Sequence, residues 1–184
     1  MTLRSWRGRK DAVDALGQIK TPETNLMLMT FLHDIDSAVR FAVTEHADPK
    51  MELVNRRFLW NAVNDPSEKV SATSYVKLIE SPFKDYRLEA YKGVRESRLP
   101  IRLLILNAMA KHPSEEYREA LRFAVVDECP EVRAAALKAF STLPGKIKVE
   151  EIENTFYDSN PDVQKALAIL VEEKSLQIPK VSRK

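Results

Sequence analysis

Asp127–Leu143 reads DECPEVRAAALKAFSTL. An acid, a proline, a branched apolar residue followed by arginine, and an Ala-rich run closing on Leu143 describe a turn that enters an amphipathic helix. The same arrangement recurs along the chain. Val39, Val70, Ile101, Val132 and Val163 stand 31 residues apart, and the neighbouring columns move with them, as a repeated physical unit requires. Five residues before each anchor come Asp34, Asp65, Glu96, Asp127 and Asp158. One residue after it come Arg40, Ser71, Arg102, Arg133 and Gln164. Prolines recur at Pro82, Pro113 and Pro144, so the chain is stopped and turned at one place in each unit. A preceding helix is marked by Leu28, Phe31 and Leu32, then Leu59, Ala62 and Val63, then Leu121, Ala124 and Val125.

These residues resemble the HEAT repeat, in the short form of the HEAT-like repeats of phycobilisome lyases. The resemblance covers nearly the whole chain. It is strong at Asp127–Arg133 with Pro130, fair at Asp34–Arg40 and at Asp158 with Pro161 and Val163, and weak at Ser71, where arginine is missing. Ankyrin and tetratricopeptide units are close in length, at about 33–34 residues, but their signatures are absent. The resemblance implies an all-α fold, an α-α superhelix of about eleven helices, and a right-handed sense. It is nearly silent about activity.

The spacing predicts first-type helices over about 22–33, 50–64, 83–95, 114–126 and 147–157, and second-type helices over about 36–47, 67–80, 98–111, 130–142 and 161–173, each boundary good to about 2–4 residues. Thr21-Pro22-Glu23 supplies an N-cap, a proline at the first helical position and an acid near the positive end of the helix dipole. Asp48-Pro49, Ser81-Pro82, and Pro113-Ser114 with Glu116 start later units alike. No alternating run with an Asn-Gly or Asp-Gly turn competes for strand. Residues 1–173 read as one repeat domain, a half repeat over 1–18 followed by five helix pairs, with a flexible basic tail over 174–184.

In the half repeat, Leu3, Trp6, Val13 and Leu16 suit a buried face, while Arg4, Arg7, Arg9 and Lys10 are expected to stay in water. This helix is expected to be an end cap or a cut edge of a longer solenoid. Along the repeats, each helix pair has more apolar face than it can bury alone, so neighbouring units must stack. Ala42, Ala135 and Ala166 would allow close helix approach, with Leu137 and Phe140 filling the gaps; Leu137→Ala would cost about 2–5 kcal/mol.

Two charged columns are candidate functional positions. The first, with pairs Asp34–Arg40, Glu96–Arg102 and Asp127–Arg133, resembles the stacked Asp and Arg ladder of HEAT proteins and reads as structural. The second places Arg56, Arg87 and Arg118 at 31-residue spacing, followed four residues later by Trp60, Tyr91 and Arg122. Each pair shares one helix face, and Arg with aromatic residues is the composition that binding hot spots favour. The second column is therefore the candidate partner-binding surface.

The composition bounds the function. Of 184 residues 44% are hydrophobic, and 29 Lys and Arg face 27 acids for a net charge of +2, too balanced to imply nucleic acid or membrane by itself. A single cysteine, Cys129, rules out an internal disulfide. With no long apolar run, this fits a reducing cytoplasm and no membrane partner. His33, His46 and His112 are scattered without metal-ligand spacing. The paired His-Glu dipeptides of a HEAT-type iron hydroxylase are absent, as are a Gly-rich phosphate loop and a nucleophile elbow. No cofactor and no catalysis are expected. The leading reading is a protein-interaction scaffold. A nucleic-acid binder, related in architecture to HEAT-like DNA alkylation glycosylases, is the second. A bilin lyase or chaperone, implied only by resemblance to the short repeats, is the third.

Overall fold

All five anchors of the repeat are buried: Val39, Val70, Val132 and Val163 are fully inaccessible and Ile101 nearly so. The computed structural model describes residues 5–48, 58–96 and 98–177, apart from the side chains of 85, 86, 88–90 and 96. Every regular element among them is helical, with no strand. The chain falls into two compact units, residues 1–90 and 91–184.

The first unit contains α1 (Trp6–Ile19), α2 (Pro22–Met29), α3 (Ser37–His46), a helical stretch over 58–62, and α4 (Glu68–Glu80). Ser5 caps α1, its hydroxyl accepting from the Gly8 amide at 3.1 Å. Lys20, in the left-handed conformation, ends that helix. The expected start of α2 is present as a capping box between Thr21 and Thr24 with Pro22 at the first helical position. α2 ends earlier than its apolar pattern predicts. At Thr30 the hydroxyl donates to the Met27 carbonyl at 2.7 Å, and residues 31 and 32 continue as turns. α1 packs on α2 and α3, and α3 on α4. Val13, Leu28, Val39, Val43, Leu59, Val70 and Leu78 form this core. The start of the helix expected over 50–64 lies outside the described residues, as do Leu3, Arg4 and most of the expected tail, from 178 onward.

α5 (Lys84–Glu96) carries the chain into the second unit, which continues with α6 (Leu99–Lys111), α7 (Arg118–Ala124), α8 (Pro130–Thr142) and α9 (Pro161–Lys174). α8 packs against α6, α7 and α9. Ile105, Leu106, Leu121, Leu137, Phe140 and Leu170 are fully buried between them. Two predicted first-type helices are altered. The one expected over 114–126 opens as a 3-10 turn, Glu115–Tyr117, before α7. The one expected over 147–157 is two 3-10 turns, Val149–Glu151 and Glu153–Thr155. The physical reason lies in the spacing. Val149, Ile152 and Thr155 recur every three residues, the 3-10 period, and Ile152 and Thr155 are fully buried on that one side. No helix among the described residues is long and apolar enough to cross a membrane.

Candidate binding surfaces and the ladder that leaves them free

The Asp and Arg columns form a ladder, but its rungs join consecutive repeats rather than residues of one repeat. Arg9 grips Asp34 through two bonds, Nε to Oδ2 at 2.6 Å and Nη2 to Oδ1 at 2.8 Å. Arg40 grips Asp65 in the same way at 2.7 and 2.9 Å, and Arg133 grips Asp158 at 2.6 and 3.0 Å. Arg102 reaches Asp127 with Nη1 alone, at 2.5 Å. The expected partners within a repeat meet differently: Arg40 Nη1 donates to the Asp34 main-chain carbonyl at 2.7 Å, and Arg133 Nη1 to that of Asp127 at 2.8 Å. The arginine reaches back to the Asp residue's carbonyl but not to its carboxylate, which in Asp34 is turned to Arg9 and the Asp36 amide.

Each carboxylate also closes the turn it sits in. Asp34, Asp65, Asp127 and Asp158 accept from the amides of Asp36, Ser67, Cys129 and Asn160 at 2.8–2.9 Å. One Asp thus fixes the corner between two helices and receives the arginine of the repeat before it. Gln164, at the arginine position of the last unit, keeps only the local half, donating to the carbonyls of Thr155 and Asp158 at 3.0 and 2.9 Å. Ser71 instead donates to the Val63 carbonyl at 2.7 Å. Glu96, the next acid in the column, has its side chain outside the described residues. Arg9, expected in water, is the first rung, and the signal was there: it stands 31 residues before Arg40.

Electrostatics follow the geometry. The bonds from Arg9 hold the Asp34 carboxyl below its ordinary range, and those from Arg133 do the same for Asp158. Burial pushes Asp65 up, but its bonds to Arg40 and the Ser67 amide outweigh that and leave it lowered.

The second column is not uniform. Arg56 lies outside the described residues. Trp60 is half-buried in the stretch over 58–62, and Arg87, also half-buried, donates to the Pro82 carbonyl at 3.4 Å. Arg118 is held from three sides: by Glu115, by Glu151 at 2.7 Å, and by the Lys146 carbonyl at 3.2 Å. Its Glu115 and Glu151 partners push the guanidinium further up from its ordinary value. Arg118 therefore fastens the 3-10 segment to α7, with 20% of its side chain left in water. Arg122 is half exposed and pairs with Glu119 at 3.0 Å on its own helix. Tyr91 is half-buried, and the guanidinium of Arg95 lies 5.6 Å from its ring centroid. Sequence reasoning missed Arg95 and Phe123, whose ring the same guanidinium covers at 4.9 Å. Their only signal was Arg95 following Tyr91 by one helical turn.

On the opposite helices of the second unit, α8 and α9 leave an open groove of about 420 Å³. Ala134, Ala135, Ala166 and Ile169 floor it, and Lys138, Lys165, Asp162 and Glu173 stand at its edges. Ala135 and Ala166, expected at a tight helix contact, are only half-buried and line this groove. Their small side chains make the depression, and Ile169 leaves 45% of its surface in water. Among the described residues no group of His, Cys, Asp and Glu is placed to hold a metal ion.

No family model and no curated protein matches the sequence. Solved structures do match. An engineered protein aligns over 95% of this chain and 93% of its own at 13% identity and a TM-score of 0.53. A computationally designed armadillo repeat protein for modular peptide recognition aligns over 92% and 94%, at 15% identity and 0.53. A designed armadillo repeat protein in complex with the peptide (KR)4 aligns over 94% and 95%, at 14% identity and 0.55. At these identities the likeness shows the fold alone: this is an all-α helical repeat fold, similar to that of the designed armadillo repeat proteins.

Proposed function

We propose that this chain is a non-catalytic, HEAT-like binding module that holds a segment of another protein in the groove between α8 and α9. The observation that carries the reading is an apolar floor, Ala134, Ala135, Ala166 and Ile169, left open in a unit whose other large apolar side chains are mostly buried. An open apolar depression edged by two lysines and two acids suits an extended or helical segment whose apolar side chains alternate with polar ones of no single charge. Two of the structural neighbours were designed for peptide recognition or solved with a peptide, which supports a protein partner. The ladder arginines Arg9, Arg40, Arg102 and Arg133 are each tied to a carboxylate, so they do not offer phosphate a row of free cations.

The test is selection of peptides from a random displayed library on the purified chain, followed by calorimetry of the recovered sequences. Ile169→Asp and Ala166→Trp, both at half-open positions, are expected to leave the melting temperature within about 2 °C and weaken the selected peptides about tenfold or more. Failure to enrich any peptide, or peptides indifferent to both substitutions, would overturn the proposal.

A further inference from the structure

A second surface, distinct from the α8–α9 groove, sits where the ends of α5 and α7 meet. Arg95 is exposed there, its guanidinium over the rings of both Tyr91 and Phe123, at 5.6 and 4.9 Å from their centroids. Among the described residues its hydrogen bond is a long one, Nη1 to Tyr91 Oη at 3.5 Å. Arg7 also lies over a ring, that of Trp6 at 5.2 Å, but the arginines that form ion pairs differ. Arg9, Arg40, Arg102, Arg118, Arg122 and Arg133 each have a carboxylate within salt-bridge distance. Arg95 has none among the described residues, and aromatic rings occupy the place that acids take elsewhere.

A guanidinium laid over two rings is fixed in orientation while the N–H groups on its edge point away from them, so the ordering that binding would otherwise require is already done. Rings attract the cation without neutralising it. Phe123 and Val126, with 37% and 53% of their surface in water, flank the site with apolar surface. The Val126 amide bonds back to the Phe123 carbonyl at 3.4 Å, which keeps the two on one turn. A cation without its anion, held rigidly and bordered by apolar side chains, is complementary to a carboxylate whose sequence neighbour is apolar. We infer that Arg95, with Tyr91, Phe123 and Val126, receives a glutamate or aspartate side chain from an acidic, Leu-containing segment of a partner protein. The fork of two N–H groups would take both carboxylate oxygens, and Phe123 and Val126 the adjoining apolar side chain.

The probe is a fluorescein-labelled peptide of alternating Leu and Glu, titrated with the full chain and read by anisotropy, alongside copies carrying Gln or phosphoserine in place of Glu. The Glu peptide is expected to bind. Its Gln copy, and the Glu peptide on Arg95→Gln or Arg95→Lys, should bind about tenfold more weakly or worse, because neither replacement restores a planar charged fork. Phe123→Ala should weaken it about two- to fivefold, and Ile169→Asp in the groove should leave it unchanged. Absence of binding to the parent chain, equal binding of the Gln copy, or full binding by Arg95→Gln would overturn the assignment. So would a preference for the phosphoserine copy, which would make the site one for phosphate. Binding lost in Ile169→Asp but kept in Arg95→Gln would place the peptide in the groove and overturn it likewise, whereas the reverse pattern leaves the groove reading to its own test.

Discussion

Gly17 shows how one residue's missing side chain sets a helix contact. A β-carbon there would lie 2.1 Å from Cγ of His46, so α1 and α3 approach as closely as they do only because position 17 is bare. The imidazole then reaches Asp14, Nε2 to Oδ1 at 3.0 Å, and Asp14 is held from its other side by Lys10 at 2.5 Å. Gly17→Ala improves intrinsic helix propensity by about 1 kcal/mol, yet it forces the ring off a buried backbone, and overpacking of this kind costs about 1–3 kcal/mol. The clash should win, because three ring atoms lie too close for a small adjustment. Gly17→Ala is expected to lower the melting temperature by several degrees, at about 2–4 °C per kcal/mol for a chain of this size. In a His46→Ala background the same change should become neutral or stabilising. A rise in melting temperature for the single variant would show that the ring moves away at little cost.

At the scale of elements, Arg118 decides how the irregular segment after α8 is held. That segment offers two 3-10 turns and few helix bonds of its own, so its attachment depends on Ile152 in the core and on Arg118 outside it. Glu151, with only 7% of its side chain in water, has Arg118 at 2.7 Å as its charge partner. Arg118→Ala would leave that carboxylate largely buried without it, and the urea midpoint should fall by an amount equivalent to about 1–3 kcal/mol. An unchanged midpoint would mean the 3-10 segment is fastened by Ile152 alone. This element also marks where sequence reading stops. The anchor valines, the helix after each and the 31-residue unit were legible because a period of 3.6 repeated inside a longer fixed period, and their burial follows it. The 3-10 segment was not, because Val149, Ile152 and Thr155 also fit one face of a short helix until packing selects the period of three. The candidate site was half legible: an Arg and aromatic column points to the outer helices, but spacing cannot say which arginine meets an acid. Arg118 stands in the 31-residue column and Arg95 one turn after Tyr91, and only the fold shows that acids meet the first and rings the second.

Across the whole molecule the ladder makes stability a function of pH with a definite sign. Asp34, Asp65 and Asp158 are each held below the ordinary carboxylate value by an arginine of the preceding repeat. Their side chains are 6–9% exposed, so water and salt screen these pairs less than surface ones. A depressed native value means that the unfolded chain binds these protons first as acid is added, at about pH 4. The stabilisation is therefore fully present above that point and is lost as pH falls through the native values. Between pH 7 and 5 the ladder should leave the melting temperature flat, and below about pH 4 the melting temperature should drop steadily. Asp158→Asn isolates one rung. The new amide oxygen can still accept from Asn160 and Arg133 but the group cannot titrate, so this variant should melt lower than the parent at pH 7 and lose less on going to pH 3. Thermal melts of both chains in buffers of constant ionic strength make the comparison. If the Asp158→Asn variant loses as much as its parent over the same interval, the Arg133–Asp158 rung contributes packing and hydrogen bonding but no proton-linked stability, and acid sensitivity must come from other carboxylates.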